Sequence, residues 1–584
     1  MRTAISGFLG AMPRVTDYGV PENVALHATN CKMVSGEVRG IHTLTLLKDF
    51  ADPGVKYAFR IPGAGAGGAD LWLSFTSLDA FIARSPIVND SFDRYYWHQP
   101  GQPLRYAPLA TLQAGWNPTG PYLLGIPGGV ATPVVTAGAT GTGDMVERSY
   151  TYTFVSAYGE EGPPAPPSDL FTHNDNGMWH IAGMDTVVPD AAQRNIVSKN
   201  IYRTVNSATG NSEFYFVATI PLAQATYDDS EPDLNVASLG RNLISTMWQP
   251  PPADMEGVTS FPGGVLLGWK DKTVYMSVPY RPWAWPVQFQ VSVEQPIIGI
   301  GVTGNVAVCC TQGHPQAITM TTPDSAALQK IEAPEPCLSR GSIVGSPDGV
   351  FYATQNGLMV FGPAGFGNAT KDMITKEEWL KNFNPYTLRA CRYQTQFIGI
   401  TYPGVGYIIN FETPPMTITE LTDLQGAVNI FNDIWSGEVY LLSNGRVFKW
   451  DDALGAEVTW RWASKRFFTP YEVNFGAARI GTKAKFYENL PPIPDTEPMA
   501  RIYLPGTGND GAPFNVIPVL PVWAAFGLRV YADGALIYDR WVRTSRTLKL
   551  PSGLKSQDWQ FEVYGRFPMA KFEFAETAKE LATV

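Results

Sequence analysis

Five stretches of this chain share one design: an apolar run, a polar turn and a second apolar run. They are Val265 to Val278, Val302 to Met320, Gly349 to Phe361, Phe397 to Phe411 and Glu438 to Trp450. The turns are readable by residue type. Asp271-Lys272 sits between two apolar runs, and Asn356-Gly357 and Asn444-Gly445 are the pairs that tolerate positive φ at both central positions of a tight hairpin. The starts lie 37, 47, 48 and 41 residues apart. Paired strands returning every 40 to 50 or so residues are what the blades of a β-propeller produce. No motif recurs strictly, so a pair of β-sandwich domains with ordinary hairpins is the competing fold. Leu71 to Phe75 and Arg94 to Trp97 supply strands for further blades, with N-terminal strands closing the ring.

Composition supports an all-β reading. Gly (56) and Pro (48) make up roughly 18% of 584 residues, against a usual ~12%. Such punctuation rules out a helical bundle, and most of the chain is short Val-, Ile-, Tyr-, Phe- and Thr-rich runs. Two helices are expected: Lys371 to Phe383, opened by Thr370 as N-cap, and the last dozen residues around Ala575 to Thr583. The length calls for about three to five domains. Tyr150 to Tyr158 largely alternates and then meets the Pro-rich Gly159 to Ser168, as in a fibronectin III or Ig-like sandwich. Further strands fit at Lys199 to Arg203, Glu213 to Ile220 and Thr226 to Asp229, and Trp248-Gln-Pro-Pro-Pro252 reads as a stiff exit linker. The expected division is therefore an N-terminal platform with the first propeller strands (1–130), an inserted sandwich (131–247), the main blades (248–456) and a β-rich C-terminal domain (457–584).

A net charge of −10 argues against a general nucleic-acid-binding surface. Charged residues are only 16% while aromatics reach 12%, which suits large cores or permanent interfaces. The five cysteines, Cys31, Cys309, Cys310, Cys337 and Cys391, have no framework spacing and read as small buried residues in a reducing compartment. No run of 18 apolar residues suggests a membrane span. The apolar start around Ile5 to Met12 is broken by Ser6, Gly7 and Gly10 and is not expected to be a signal peptide.

Candidate chemistry is sparse. Gly63-Ala-Gly-Ala-Gly-Gly68 matches a dinucleotide fingerprint, but Pro62 precedes it and a strand follows where a phosphate-binding helix belongs, so a loop is expected. Cys309-Cys310 with His314 is the one thiol–imidazole cluster; adjacent strand residues face opposite ways, so core packing is expected there. His27, His42, His98, His173, His180 and His314 show no metal-binding spacing. The acidic pairs Glu160-Glu161, Asp228-Asp229, Glu377-Glu378 and Asp451-Asp452 would serve a glycosidase only if two carboxylates stood roughly 5 to 10 Å apart; solvated charge in turns or on an exposed helix is the expectation. Tyr95-Tyr96-Trp97 and Trp283-Ala284-Trp285 are expected to pack in cores or interfaces. No catalytic, cofactor or metal residue is assigned.

The ordered series Met12 to Asn23, Ala28-Thr-Asn30, Ser35-Gly36, Ser85-Pro86, Asp93 to Trp97, Tyr122 to Pro127, Tyr152 to Ser168, Asn200 to Arg203, Tyr215 to Ile220, Ser277 to Trp285, Pro296 to Ile300, Leu550 to Gly553 and Trp559 to Gly565 resembles the β-propeller tail nozzle proteins of short-tailed bacteriophages, the tail tubular protein B group. The resemblance spans most of the chain in short motifs. It implies a non-enzymatic virion protein, made in the host cytoplasm and built into the tail as a homo-hexamer. Such a ring lies beneath the portal and an adaptor ring, holds fibres or spikes at its rim, and gates the channel through which genomic DNA leaves without sequence recognition. It implies no cofactor. A glycan depolymerase on a propeller, or a receptor-binding adhesin, is the alternative.

Overall fold

The computed structural model describes residues 1–206, 212–238, 240–402, 404–411, 415–422, 424–484 and 524–582. Its regular structure is almost wholly strand, arranged as many small antiparallel sheets. Four of these are four-stranded meanders that follow the chain with no crossover. They are Phe81–Arg84, Arg94–His98, Arg105–Pro108 and Tyr122–Leu123; Gly257–Phe261, Val265–Lys270, Thr273–Met276 and Gln290–Ser292; Ile297–Thr303, Val306–Thr311, Gln316–Thr319 and Ala327–Lys330; and Val344–Ser346, Gly349–Thr354, Gly357–Gly362 and Gly365–Asn368. A fifth run, Arg389–Tyr393, Gln396–Thr401, Val405–Asn410 and Thr417–Leu421, opens a twelve-stranded sheet. A sixth, Asn429–Asn432, Val439–Ser443 and Arg446–Lys449, takes its fourth strand, Thr45–Asp49, from near the chain start. Repeated four-stranded meanders are the units of a β-propeller, and all five hairpins anticipated from the turns are present. The one at 302 begins a strand earlier, at Ile297.

Local chemistry accounts for the meanders. Asp271 (φ 48°), Asn444 (φ 47°) and Gly445 (φ 72°) occupy the left-handed region that tight turns require. At Gly445 space also decides, because a Cβ there would lie 2.0 Å from the Asp52 carbonyl oxygen. Val265, Leu267 and Trp269 alternate into a core with Val274, Met276, Ile297, Ile300, Cys309 and Ile318.

The insert is a sandwich. One sheet runs Glu161–Pro164, Tyr150–Ser156, Ile196–Asn206, Ser212–Pro221; a second runs Val134–Ala137, Trp179–Ala182, Tyr227–Asp229; Met145–Arg148 pairs with Phe171–Asn174. Tyr150, Tyr152, Phe154, Trp179, Ile181, Ile201 and Ile220 share its core. Tyr150–Ser156 is buried on both faces rather than alternately, and its threonine hydroxyls are satisfied there: Thr151 donates to the Ala165 carbonyl and Thr153 to Glu161.

The chain divides into two compact units: 1–53 with 355–359 and 368–584, and 54–354 with 360–367. In the first, Arg2–Ile5 pairs with Lys571–Ala575 and His27–Thr29 with Trp460–Ala463, around Ile5, Phe8, Trp460, Trp462, Phe475, Phe526, Trp559 and Phe574. N-terminal residues from Ile5 to Val38 and the C-terminal β-rich segment therefore share one apolar core.

Three local expectations are corrected. The helix expected at Lys371 to Phe383 spans only Lys376–Asn382; Thr375, not Thr370, caps it, in a box with Glu378, and the Thr370 hydroxyl instead accepts from the Leu358 N–H. The C-terminal helix is Ala578–Ala582, since Ala575 ends a strand, and Thr583 lies outside the described residues. The segment expected to be a stiff linker is packed: Trp248 is buried with Trp283 and Trp285, and Pro250 and Pro251 lie so close to Gly125 that a Cβ there would meet them at 2.6 Å.

Candidate functional site: buried ion pairs at the root of the insert

The nominated fingerprint Gly63 to Gly68 is a hairpin loop between Tyr57–Ile61 and Leu71–Phe75, with the Gly63 N–H donating to Asp70 and Arg60 ion-paired to Asp70. Cys309 and Cys310 are buried free thiols, and the His314 ring faces the Ile331 carbonyl. Tyr95, Tyr96, Trp97, Trp283 and Trp285 are core residues. His98 is fully buried against the Met255 carbonyl at 3.1 Å, and burial pushes it down to about 4. Among the described residues no cluster of three or more His, Cys, Asp or Glu has metal-binding geometry, and no helix is long and apolar enough to cross a membrane.

The acidic pairs differ most from expectation. Three of the four are not solvated turns; at least one member of each is buried against a cation. Glu160 has no exposed side-chain surface and meets Arg94, itself 5% exposed, at 2.8 Å. Arg94 also holds Asp90 at 2.8 Å, and the Ser156 hydroxyl donates to the second Glu160 oxygen at 3.2 Å. Burial pushes the Glu160 carboxyl above its ordinary value although Arg94 pulls it down. This cluster ties the sandwich to the Phe81–Leu123 meander. Around it the Trp283 indole donates to the Glu161 carbonyl at 3.2 Å, Tyr158 packs edge-on to Phe92, Tyr106 and Tyr122, and Arg194 donates to the Leu124 and Gly125 carbonyls. Glu161 turns away, to Thr153, Asn200 and Tyr202.

Inside the sandwich Asp229 and Arg203 are both fully buried, 2.7 Å apart, and the Tyr150 hydroxyl donates to the same Asp229 oxygen at 2.8 Å. Asp233 bridges Arg203 (3.2 Å) and Arg148 (2.7 Å), Asp175 also pairs with Arg148, and the Arg148 guanidinium lies 4.6 Å over the Trp179 ring. Asp228 points outward to His180. In the other unit Asp451 accepts from Lys32 (2.6 Å), Tyr393 (2.8 Å) and the His42 ring (2.8 Å) and N–H (2.9 Å). Although burial opposes it, these partners hold the Asp451 carboxyl below its ordinary value. Asp452 faces Lys449 at 3.5 Å, and Glu378 is spent on its helix cap.

In the Glu160-Glu161, Asp228-Asp229 and Asp451-Asp452 pairs the two carboxylates answer to different partners. The arrangement neutralises charge where distant segments meet. Sequence reasoning missed the cations: Arg94, Arg148, Arg203 and Lys32. One signal was available, since Arg94 opens the aromatic strand Arg94–His98, every residue of which is buried. A charge inside an apolar strand has to be paired.

No family model matches this chain, and no curated protein matches it. Among solved structures it is similar to Sqt1 of Saccharomyces cerevisiae (10% identity, 56% of this chain and 97% of that one, TM-score 0.23), to the N-terminal domain of Nup159 (9%, 48% and 85%, 0.24) and to apo AztD from Citrobacter koseri (9%, 51% and 77%, 0.24). At such identities and scores these likenesses say nothing of what the chain does.

Proposed function

We propose that this chain is a structural subunit of the tail nozzle of a short-tailed bacteriophage, assembling as a homo-hexamer beneath an adaptor ring, carrying fibres or spikes at its rim and gating the exit channel for the genome. The observation that carries the reading is how the chain uses its chemistry. Most of the nominated ionisable groups are engaged as clamps between its own segments, while large apolar side chains stand exposed on strands and turns: Leu46, Phe468, Tyr471, Trp435 and, on the insert, Val134 and Met145. Exposed apolar groups beside internally neutralised charge suit permanent interfaces with other subunits. The resemblance of the ordered motifs to nozzle proteins supplies the specific assembly. A subunit charge of −10, repeated around a ring, would keep DNA from adhering to the wall.

Cryo-electron microscopy of the particle and of the recombinant chain tests this. A six-fold ring on the tail axis is the expected result. A monomer or trimer at the particle periphery would overturn it, and the acidic pairs would then be mutated and scored by halo formation on host lawns.

A further inference from the structure

The chain holds three Asn-Gly pairs, Asn176-Gly177, Asn356-Gly357 and Asn444-Gly445. In such a pair the glycine nitrogen can reach the preceding side-chain amide carbon, because no Cβ stands in the way. The attack turns the peptide between the two residues, so hydrogen bonds on that peptide, or on the amide that has to leave, oppose it. At Asn176 both are engaged. Its Oδ1 accepts from the Thr142 and Gly143 N–H groups at 2.9 and 2.6 Å, its Nδ2 donates to the Thr142 hydroxyl at 3.1 Å, and the Gly177 N–H donates to the Asn174 carbonyl at 3.0 Å. At Asn356 the Asn368 amide donates to the backbone carbonyl at 2.7 Å, and the buried Gly357 lies against Asn368 and Thr370.

Asn444 differs from both. It stands exposed, at φ 47°, in the two-residue turn that joins Val439–Ser443 to Arg446–Lys449. Among the described residues its side-chain amide, its carbonyl and the Gly445 N–H are all without a hydrogen-bond partner. The same turn clasps the strand that comes from near the chain start. The Gly445 carbonyl accepts from the Phe50 N–H at 3.0 Å, and Arg446 pairs with Asp49 at 2.8 Å and opposes it in the register.

We propose that Asn444 is a site of spontaneous deamidation, selected over Asn176 and Asn356, and that its conversion loosens the hold of this sheet on Thr45–Asp49. The Gly445 nitrogen bonds to Asn444 Cγ, the Cγ–Nδ2 bond breaks, and ammonia leaves with the proton from the Gly445 N–H. Water then opens the resulting cyclic imide. Attack at Cγ gives aspartate; attack at the main-chain carbonyl carbon breaks its bond to the Gly445 nitrogen and leaves an isoaspartyl linkage, one methylene longer. In sum one amide and one water become one carboxylic acid and one ammonia. A two-residue turn fixes the register of its hairpin, so the longer main chain cannot keep Ser443 opposite Arg446 and the Gly445 carbonyl on Phe50 at once. The new carboxylate also competes with Asp49 for Arg446.

The test incubates the full-length chain in warm, mildly alkaline buffer and follows it by peptide mapping, isoaspartyl methyltransferase labelling and hydrogen exchange. The expected result is conversion at Asn444 well ahead of Asn176 and Asn356, with faster exchange in peptides covering Thr45–Phe50 and Val439–Lys449 and none in those of residues 150–229. Asn444→Gly, which accepts the same φ and lacks the amide, should keep its protection through the same incubation. Conversion at Asn176 or Asn356 as fast as at Asn444 would overturn the selectivity, as would an intact Asn444 under conditions that convert a synthetic peptide of residues 439–449. Conversion that leaves exchange at Thr45–Phe50 unchanged would overturn the loosening.

Discussion

The inserted sandwich and the adjoining meanders of residues 257–330 are built from the same kind of strand yet are held together differently. The meanders close by contacts between neighbours in sequence, and their shared core is apolar. In the sandwich Tyr150–Ser156 pairs with Ile196–Asn206, some fifty residues on, and the fully buried Arg148 and Arg203 are paired with the buried Asp229 and the partly exposed Asp175 and Asp233. An apolar core tolerates many packings, whereas a buried ion pair is satisfied in only one register. The desolvation it carries makes it a weak source of net stability. The difference teaches where each region is fragile: the meanders to lost volume, the sandwich to one missing partner.

The largest expected effect follows from that fragility. Asp229→Ala leaves Arg203 buried without its main partner and should destabilise the sandwich by about 3–5 kcal/mol. Hydrogen exchange should rise in peptides of residues 150–229 while those of 257–330 are unchanged. Replacing Arg203 and Asp229 together by apolar residues should recover most of that loss, and a double variant no better than the single would break the comparison. In the meanders, Leu267→Ala opens a cavity at a fully buried site and should cost about 2–5 kcal/mol, read as exchange confined to 257–330. Gly445→Ala, at positive φ and in contact with the Asp52 carbonyl, should cost about 1–3 kcal/mol and lower the melting temperature.

The smallest effects are in pH dependence, and their signs oppose. Glu160 has a raised pKa in the fold, so the stability tied to its protonation is present below the ordinary value of 4.5 and lost as pH rises through the folded value. The advantage of the wild type over Glu160→Gln should therefore shrink from pH 4 to pH 7. Glu573 behaves in reverse: against the opposing effect of burial, Arg2, Arg479 and Lys571 hold it down to about 2. Its contribution is present above 4.5 and lost as pH falls through about 2, so the advantage over Glu573→Gln should shrink on acidification. Denaturant midpoints measured across that range for both pairs would show whether the two slopes differ in sign.

How much was legible depends on the range of the interaction. The turn at Asn444-Gly445 and the hairpin around Asp271 were readable because a tight turn is decided by the φ its own residues accept. The helix boundary was misread because Thr370 and Thr375 are equally good caps by type, and only Thr375 has Glu378 three residues on to complete the box. Glu160-Glu161 and Asp228-Asp229 looked like solvated turn residues, since their cations lie 66 and 26 residues away in the chain. Burial is a property of what packs over a residue, and adjacent glutamates carry no mark of it.

By itself the sequence determined the strand-rich class, the hairpins with their period, and the inserted alternating module, because backbone preference and side-chain alternation act over a few residues. Only the tertiary structure decided that Thr45–Asp49 completes the sheet of Asn429–Lys449, that Arg2–Ile5 pairs with Lys571–Ala575, and that Arg94 reaches Glu160. These contacts join segments far apart in the chain. Their free energy comes from water and charge excluded together at the closed interface, which no local stretch of sequence contains.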